Sequence, residues 1–173
     1  RYWQDAKWNR ADYPVVGVSW YEAVAFCRWT REVSGEIITL PTEQQWQRAA
    51  QGDDGRAYPW GTGWDVDRCN NSVGRGWHKK QTSQVTRYEW QDKGDSPFGV
   101  VDMSGNVWEW CLTEYKTGNQ EEDKAGVRVV RRGGAWNEND PKWIRADCRN
   151  NGDPDLRLNI NGFRLARTYS TES

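Results

Sequence analysis

Apolar positions recur at a helical period in only two places along this chain. In the first, Ala23, Val24, Phe26, Cys27 and Trp29 follow Ser19-Trp20-Tyr21-Glu22, the serine-x-x-glutamate pattern of a capping box. This predicts a helix from Ser19 to about Val33, stopped at Ser34-Gly35. Thr42-Glu43-Gln44-Gln45 repeats the signature after Pro41 and predicts a second helix through Trp46 to about Ala50. Between the two, Ile37 to Leu40 reads as a short strand. After Gln51 the helical period ends, and Gly, Asp, Asn and Pro punctuate the chain every few residues. Only short strands fit there: Val100-Val101, Val107 to Cys111, Val127 to Arg131, and Phe163 to Arg167. Trp108 and Trp110 are expected on opposite sides of their strand, at least one of them deeply buried.

Two helices followed by a loop-rich remainder predict an α+β fold with little regular structure. A length of 173 residues suits one domain, 1–173, and no repeat or linker divides it. Thirteen Trp against nine Leu plus Ile point to a core of large rings, which fill space that regular layers otherwise fill.

Lys+Arg of 24 against Asp+Glu of 25 leaves a net charge of -1, which gives no electrostatic reason to expect nucleic acid as a partner. No apolar run approaches membrane-spanning length, so membrane insertion is not expected. The four Cys (Cys27, Cys69, Cys111, Cys148) lack CxxC spacing, which indicates neither zinc nor a redox pair; buried free thiols are expected instead. The sequence opens on Arg1 rather than Met, and an N-terminal trim is the expectation.

The most informative stretch lies between two rigid blocks, Arg132-Gly133-Gly134-Ala135-Trp136 and Gly162-Phe163-Arg164. Between them Asn, Asp, Gly and stray apolar residues follow neither a helix nor a strand period, the pattern of a surface loop system held at both ends. One reading makes residues 133–164 a variable binding surface. Its contact side chains would be Asn137, Glu138, Asn139, Lys142, Trp143, Asp147, Cys148, Asn151, Asp153, Leu156, Leu158 and Ile160. Trp136, Arg145, Arg149, Arg157, Phe163 and Arg164 would then be buried or salt-bridged beneath them. The other reading is ordinary turn chemistry, with Leu156, Leu158 and Ile160 alternating like the inner face of a short strand.

Several blocks together resemble the sulfatase-modifying-factor family, whose founding members are the formylglycine-generating enzymes. They are PVVGVSWYEAVAFCRW (Pro14 to Trp29), LPTEQQWQRAA (Leu40 to Ala50), YPWG (Tyr58 to Gly61), SPFGVVDMSGNVWEWC (Ser96 to Cys111), RRGGAW (Arg131 to Trp136) and NGFRLAR (Asn161 to Arg167). The resemblance implies a C-type lectin-like fold with two helices, a small twisted sheet and long ordered loops. It also implies three kinds of function to compare.

The formylglycine-generating enzymes work through a cysteine pair that binds copper, after the glycine-rich block. Soft Cu(I) needs soft ligands, yet Asn137 to Trp143 contains no cysteine, so no copper and no catalytic residue are expected. The sulfoxide synthases of the family use three histidines, and this chain has only His78. The third branch, the variable proteins of diversity-generating retroelements, keeps the frame and rewrites adenines in the C-terminal codons. An AAC codon changed at its first two bases yields Leu, Ile, Asp, Gly or Cys, which suits Cys148, Gly152, Leu156, Leu158 and Ile160. Glu138, Lys142 and Trp143 need a different template codon. The expectation is a non-enzymatic ligand-binding domain whose partner is a protein or other macromolecule. The alternatives are an oxygen-dependent enzyme domain or an accessory domain of a signalling protein.

The resemblance also suggests structural calcium at the Asp102 to Glu109 turn, held by Asp102, the carbonyls of Gly105 and Val107, and Glu109. Equally, Asp102 and Glu109 simply cap the turn. Asn70 and Asn71 match a second such loop poorly.

Overall fold

A computed structural model describes residues 2–74, 80–89, 94–123 and 126–168; His78 lies outside them. Helix α1 spans Trp20–Ser34. Ser19 Oγ accepts the Glu22 N–H, and Glu22 Oε2 accepts the Ser19 N–H at 2.7 Å, so two orphan donors of the first turn are satisfied reciprocally. Gly35 ends the helix in the left-handed conformation at φ 71°, which costs a glycine nothing. The buried stripe is Trp20, Ala23, Val24 and Cys27. Phe26 and Trp29 do not join it; both lie on the outer side, 43% and 56% exposed. Helix α2, Glu43–Gln51, starts from the same kind of box, built by Thr42 and Gln45.

Strand β1 (Ile37–Thr39) pairs antiparallel with β6 (Ala166–Thr168), tying the end of the described chain to α1. The central sheet has the order β4-β3-β2-β5, from β2 (Trp108–Glu114), β3 (Val129–Arg132), β4 (Arg149–Gly152) and β5 (Asn161–Phe163). β2 runs antiparallel to β3 and parallel to β5.

Trp108 and Trp110 share a face. Residues two apart on a strand point the same way, and the Arg131 guanidinium lies 5.8 and 5.6 Å from their two ring centroids. Both rings are buried, so the expectation of opposite sides fails while that of burial holds. On this side Trp110 and Leu112 pack with Trp20, Ala23, Val24 and Cys27 of α1. On the other side Cys111 and Val130 pack with Trp46 and Ala50 of α2, Met103 and Ala146. A third cluster joins Trp8, Val16, Val107 and Trp136.

Two expected strands change. Val100-Val101 is not strand. Phe163 to Arg167 divides between β5 and β6, because Arg164 leaves the ladder to reach the Glu109 carboxylate. Conversely Arg149–Gly152, whose Asn-Asn-Gly composition signals a turn, is a strand paired along β3. Tertiary pairing overrides local preference there.

Candidate binding surface

The tract between the rigid blocks is held by its main chain. Among the described residues, at least ten of its carbonyls accept hydrogen bonds from groups outside Asn137 to Ile160, among them Glu138 O from the Ser72 N–H at 2.9 Å and Pro141 O from the Tyr58 hydroxyl at 3.5 Å. Ser104 Oγ donates to Ile144 O at 2.8 Å. Arg132 Nη2 and Nη1 donate to Ala146 O and Asp147 O at 2.9 and 3.0 Å. Arg131 Nη2 donates to Asn151 O at 2.7 Å. The backbone N–H groups of Trp20, Gly17 and Trp108 take Pro154, Leu158 and Ile160 at 2.8, 3.0 and 2.8 Å, and Trp136 Nε1 takes Asn159 O at 3.3 Å. None of these bonds uses a side chain of the tract. Arg131 and Arg132, buried on opposite faces of β3, are therefore its central clamps. Their role escapes sequence reading, because a Val-Val-Arg-Arg strand does not display an inward guanidinium.

The expected frame residues are placed as follows. Trp136 is buried. Arg149 forms a two-pronged pair with Glu43 at 2.8 Å for each contact, Arg157 pairs with Glu22, and Arg145 pairs with Asp147. Arg164 is bonded inside the turn described below, and Phe163 meets Phe26 edge to face.

The twelve expected contact residues divide. Asn139, Lys142, Trp143, Asp147 and Asp153 are exposed, with the Lys142 ammonium 5.2 Å from the Trp143 ring centroid. Asn137, Cys148, Asn151 and Leu158 are half-buried, and Asn151 shares Arg128 with Asp153. Three others turn inward. Glu138 accepts the Trp108 indole N–H at 2.9 Å, and burial raises its carboxyl pKa. Leu156 packs against the Trp20–Trp110 cluster, and Ile160 against the Trp8–Trp136 cluster. Glu138, Leu156 and Ile160 are thus floor rather than free surface. The alternative reading of Leu156, Leu158 and Ile160 as the inner face of a short strand holds only in the inward turn of Leu156 and Ile160, since no strand forms there and Leu158 packs on neither cluster.

The turn assigned to calcium is already occupied by a side chain. Arg164 Nε and Nη2 meet Glu109 Oε2 and Oε1 at 2.5 and 2.6 Å, and Trp46 Nε1 donates to Oε2 at 2.6 Å. Arg164 Nη2 also donates to the Val101 carbonyl, and the Gly105 carbonyl accepts the Val107 N–H. Asp102 holds Asn106 Nδ2 at 3.1 Å, and burial pushes its carboxyl up to about 7. With Glu109 and Gly105 committed and a guanidinium beside them, Asp102, Gly105, Val107 and Glu109 do not fit a calcium ion as arranged. Asn70 and Asn71 are likewise engaged, Asn70 with Asn106 and Asn71 with the Val66 and Cys69 carbonyls.

Burial pushes the Cys27 thiol up to about 11 and raises those of Cys111 and Cys148. Thiols raised in this way stay protonated near neutral pH, which suits filling rather than nucleophilic attack.

The family model of the sulfatase-modifying factor enzyme 1-like domain matches residues 3–169. The chain belongs to this family. Among sulfatase-modifying factor relatives, it is 32% identical over 172 residues to inactive C-alpha-formylglycine-generating enzyme 2 of Bos taurus, covering 91% of this chain and 51% of that one. It is 33% identical over 179 residues to the formylglycine-generating enzyme of Streptomyces coelicolor, covering 91% and 54%. The chain therefore spans about half the length of these curated relatives. Treponema denticola variable protein 1 superposes with a TM-score of 0.68 at 22% identity, covering 93% of this chain and 73% of that one. That likeness shows the fold, the α+β, C-type lectin-like variant of the sulfatase-modifying factor family. At similar identity the relatives include one named inactive and one named an enzyme, so overall similarity does not separate the two.

Proposed function

We propose that this sulfatase-modifying factor domain is a non-enzymatic ligand-binding domain, a variable protein of the diversity-generating-retroelement kind. The observation that carries the reading is the grip on the tract's carbonyls by Ser104, Arg131, Arg132, Trp20, Gly17, Trp108 and Trp136. A surface can exchange its side chains only if its path is fixed without them. Asn139, Lys142, Trp143, Asp147 and Asp153 are its exchangeable contacts. Trp143 supplies a large rigid anchor, and the Asn and Asp residues supply adaptable hydrogen bonding to a macromolecular partner. The absence of cysteine from Asn137 to Trp143, with Cys148 raised by burial, speaks against copper-dependent oxidation.

The test is a display library randomised at those five positions and selected against a panel of unrelated proteins. Different members should bind different targets. Failure to recover any binder, or aldehyde formation on a cysteine-containing sulfatase peptide by the purified domain, would overturn the reading.

A further inference from the structure

Beside the N-terminal half of α1 lies a cleft whose lining includes none of the five exchangeable positions and which the proposed function does not use. Its apolar half, about 350 Å³, is lined by Trp3, Val15, Val18, Phe26 and Phe163, with Glu22 at its edge. A second cavity of about 340 Å³ shares Trp3 and Glu22 and adds Tyr2, Gly17 and Arg157. Shared lining makes the two neighbouring halves of one cleft, apolar on one side and charged on the other. Each half falls within the size range of small-molecule sites, about 300–1,000 Å³.

The charged half presents an acceptor and a donor side by side. Glu22 Oε2 is fully engaged, by the Ser19 N–H at 2.7 Å, the Ser19 hydroxyl at 2.9 Å and Arg157 Nε at 3.0 Å. Glu22 Oε1 accepts from Arg157 Nη2 alone among the described residues, at 3.1 Å, leaving room for a further donor. Arg157 Nη1 donates to the Asp155 carbonyl at 3.1 Å, so the guanidinium keeps N–H groups to offer. The two side chains are 50% and 42% exposed. A pair this open is worth little by itself, and ligand charges can share it.

We propose that this cleft binds a free α-amino acid with a bulky apolar side chain. The side chain enters the half bounded by Trp3, Phe26 and Phe163, where the edge-to-face contact of Phe26 with Phe163 at 5.7 Å offers ring faces to a third group. The α-ammonium donates to Glu22 Oε1 and the α-carboxylate accepts from Arg157. An ammonium and a carboxylate on one carbon match a carboxylate and a guanidinium already in contact. The interior of a peptide carries neither charge on its backbone and would leave both groups unanswered. Covering Trp3 and Phe26, both exposed in the free domain, adds the apolar contribution.

The experiment is isothermal titration calorimetry of L-phenylalanine into the whole chain, with N-acetyl-phenylalanine amide and glycine as controls. Phenylalanine should give saturable binding, and each control should bind about tenfold more weakly or worse. Trp3→Ala and, separately, Phe26→Ala should weaken phenylalanine about tenfold. The melting temperature should stay near the parent's for Trp3→Ala, where the residue is 61% exposed, and fall somewhat for Phe26→Ala, whose ring also packs on Trp29 and Phe163. The absence of saturable heat with phenylalanine would overturn the proposal. So would an N-acetyl amide that binds as tightly, or unchanged affinity in a folded Trp3→Ala or Phe26→Ala variant. This outcome is independent of whether the tract binds macromolecules.

Discussion

Arg164 grips Glu109 with both prongs of its guanidinium, at 2.5 and 2.6 Å, in the turn where the sequence suggests a metal. Glu109 is buried and Arg164 largely so, and Trp46 adds a third donor. Removing one member of such a pair leaves the other charged and unmatched. Glu109→Ala is therefore expected to lower the unfolding free energy by about 3–5 kcal/mol in urea denaturation. A loss under about 1 kcal/mol would show that the pair behaves like a surface contact.

If Arg164 keeps calcium from the turn's oxygens, melting curves in millimolar calcium and in excess chelator should coincide, since an ion raises stability only by binding the native state more tightly than the unfolded one. A calcium-dependent rise that disappears in Asp102→Ala would show instead that the guanidinium yields to the ion.

Asp102 should leave a mark on the pH dependence of stability. Its carboxyl is raised from 3.8 to about 7, chiefly by burial, so the native state holds a proton that the unfolded chain has released. Its contribution is complete below 3.8 and is lost as pH rises through about 7. Asp102→Asn, which also suits the left-handed φ of 55°, removes this loss. The melting-temperature difference between variant and parent should grow in the variant's favour from pH 4 to pH 8. A difference that does not change with pH would contradict the assignment.

Most of the α+β frame is legible in the sequence, because its signals are local. Ser19 with Glu22 and Thr42 with Gln45 announce both helix starts, and Gly35 announces one end. What is not legible depends on distant partners. β4 forms from Arg149-Asn150-Asn151-Gly152 because β3 lies alongside, and no short-range rule makes that segment a strand. At the site, the ends of the tract and its exposed Lys142 and Trp143 can be read directly. The inward turn of Glu138 cannot, since it needs the indole of Trp108, thirty positions away, as its donor. Leu156 and Ile160 show the same limit. The alternation of Leu156, Leu158 and Ile160 is visible, but only the rings of Trp20, Trp110 and Trp136 decide that Leu156 and Ile160 turn inward while Leu158 stays half-buried apart from those clusters.

Leu156→Asn and Ile160→Asn should therefore each lower stability, by about 1–3 kcal/mol, through an amide placed against an apolar cluster. Lys142→Asn and Asp153→Asn should stay within about 0.5 kcal/mol of the parent. Urea midpoints separate the two classes. Equal behaviour across all four would contradict the division into floor and surface.

Arg132→Met should damage the tract from beneath. It keeps the apolar stem beside Trp46 but strips the donors from the Ala146 and Asp147 carbonyls. A buried acceptor left unpaired costs about 1–3 kcal/mol. Hydrogen exchange should rise first between residues 144 and 152, and unchanged protection there would contradict the clamp.

One variant tests directly whether the tract's path is independent of its outward side chains. Asn139, Lys142, Trp143, Asp147 and Asp153 are all replaced with serine in a single chain, and its unfolding free energy is compared with the parent's. Five surface substitutions of about 0.5 kcal/mol or less each should leave a cooperatively folding domain within about 2.5 kcal/mol of the parent. Loss of cooperative unfolding in that chain would mean that the side chains hold the loop, and the account of a fixed frame beneath an exchangeable surface would fail.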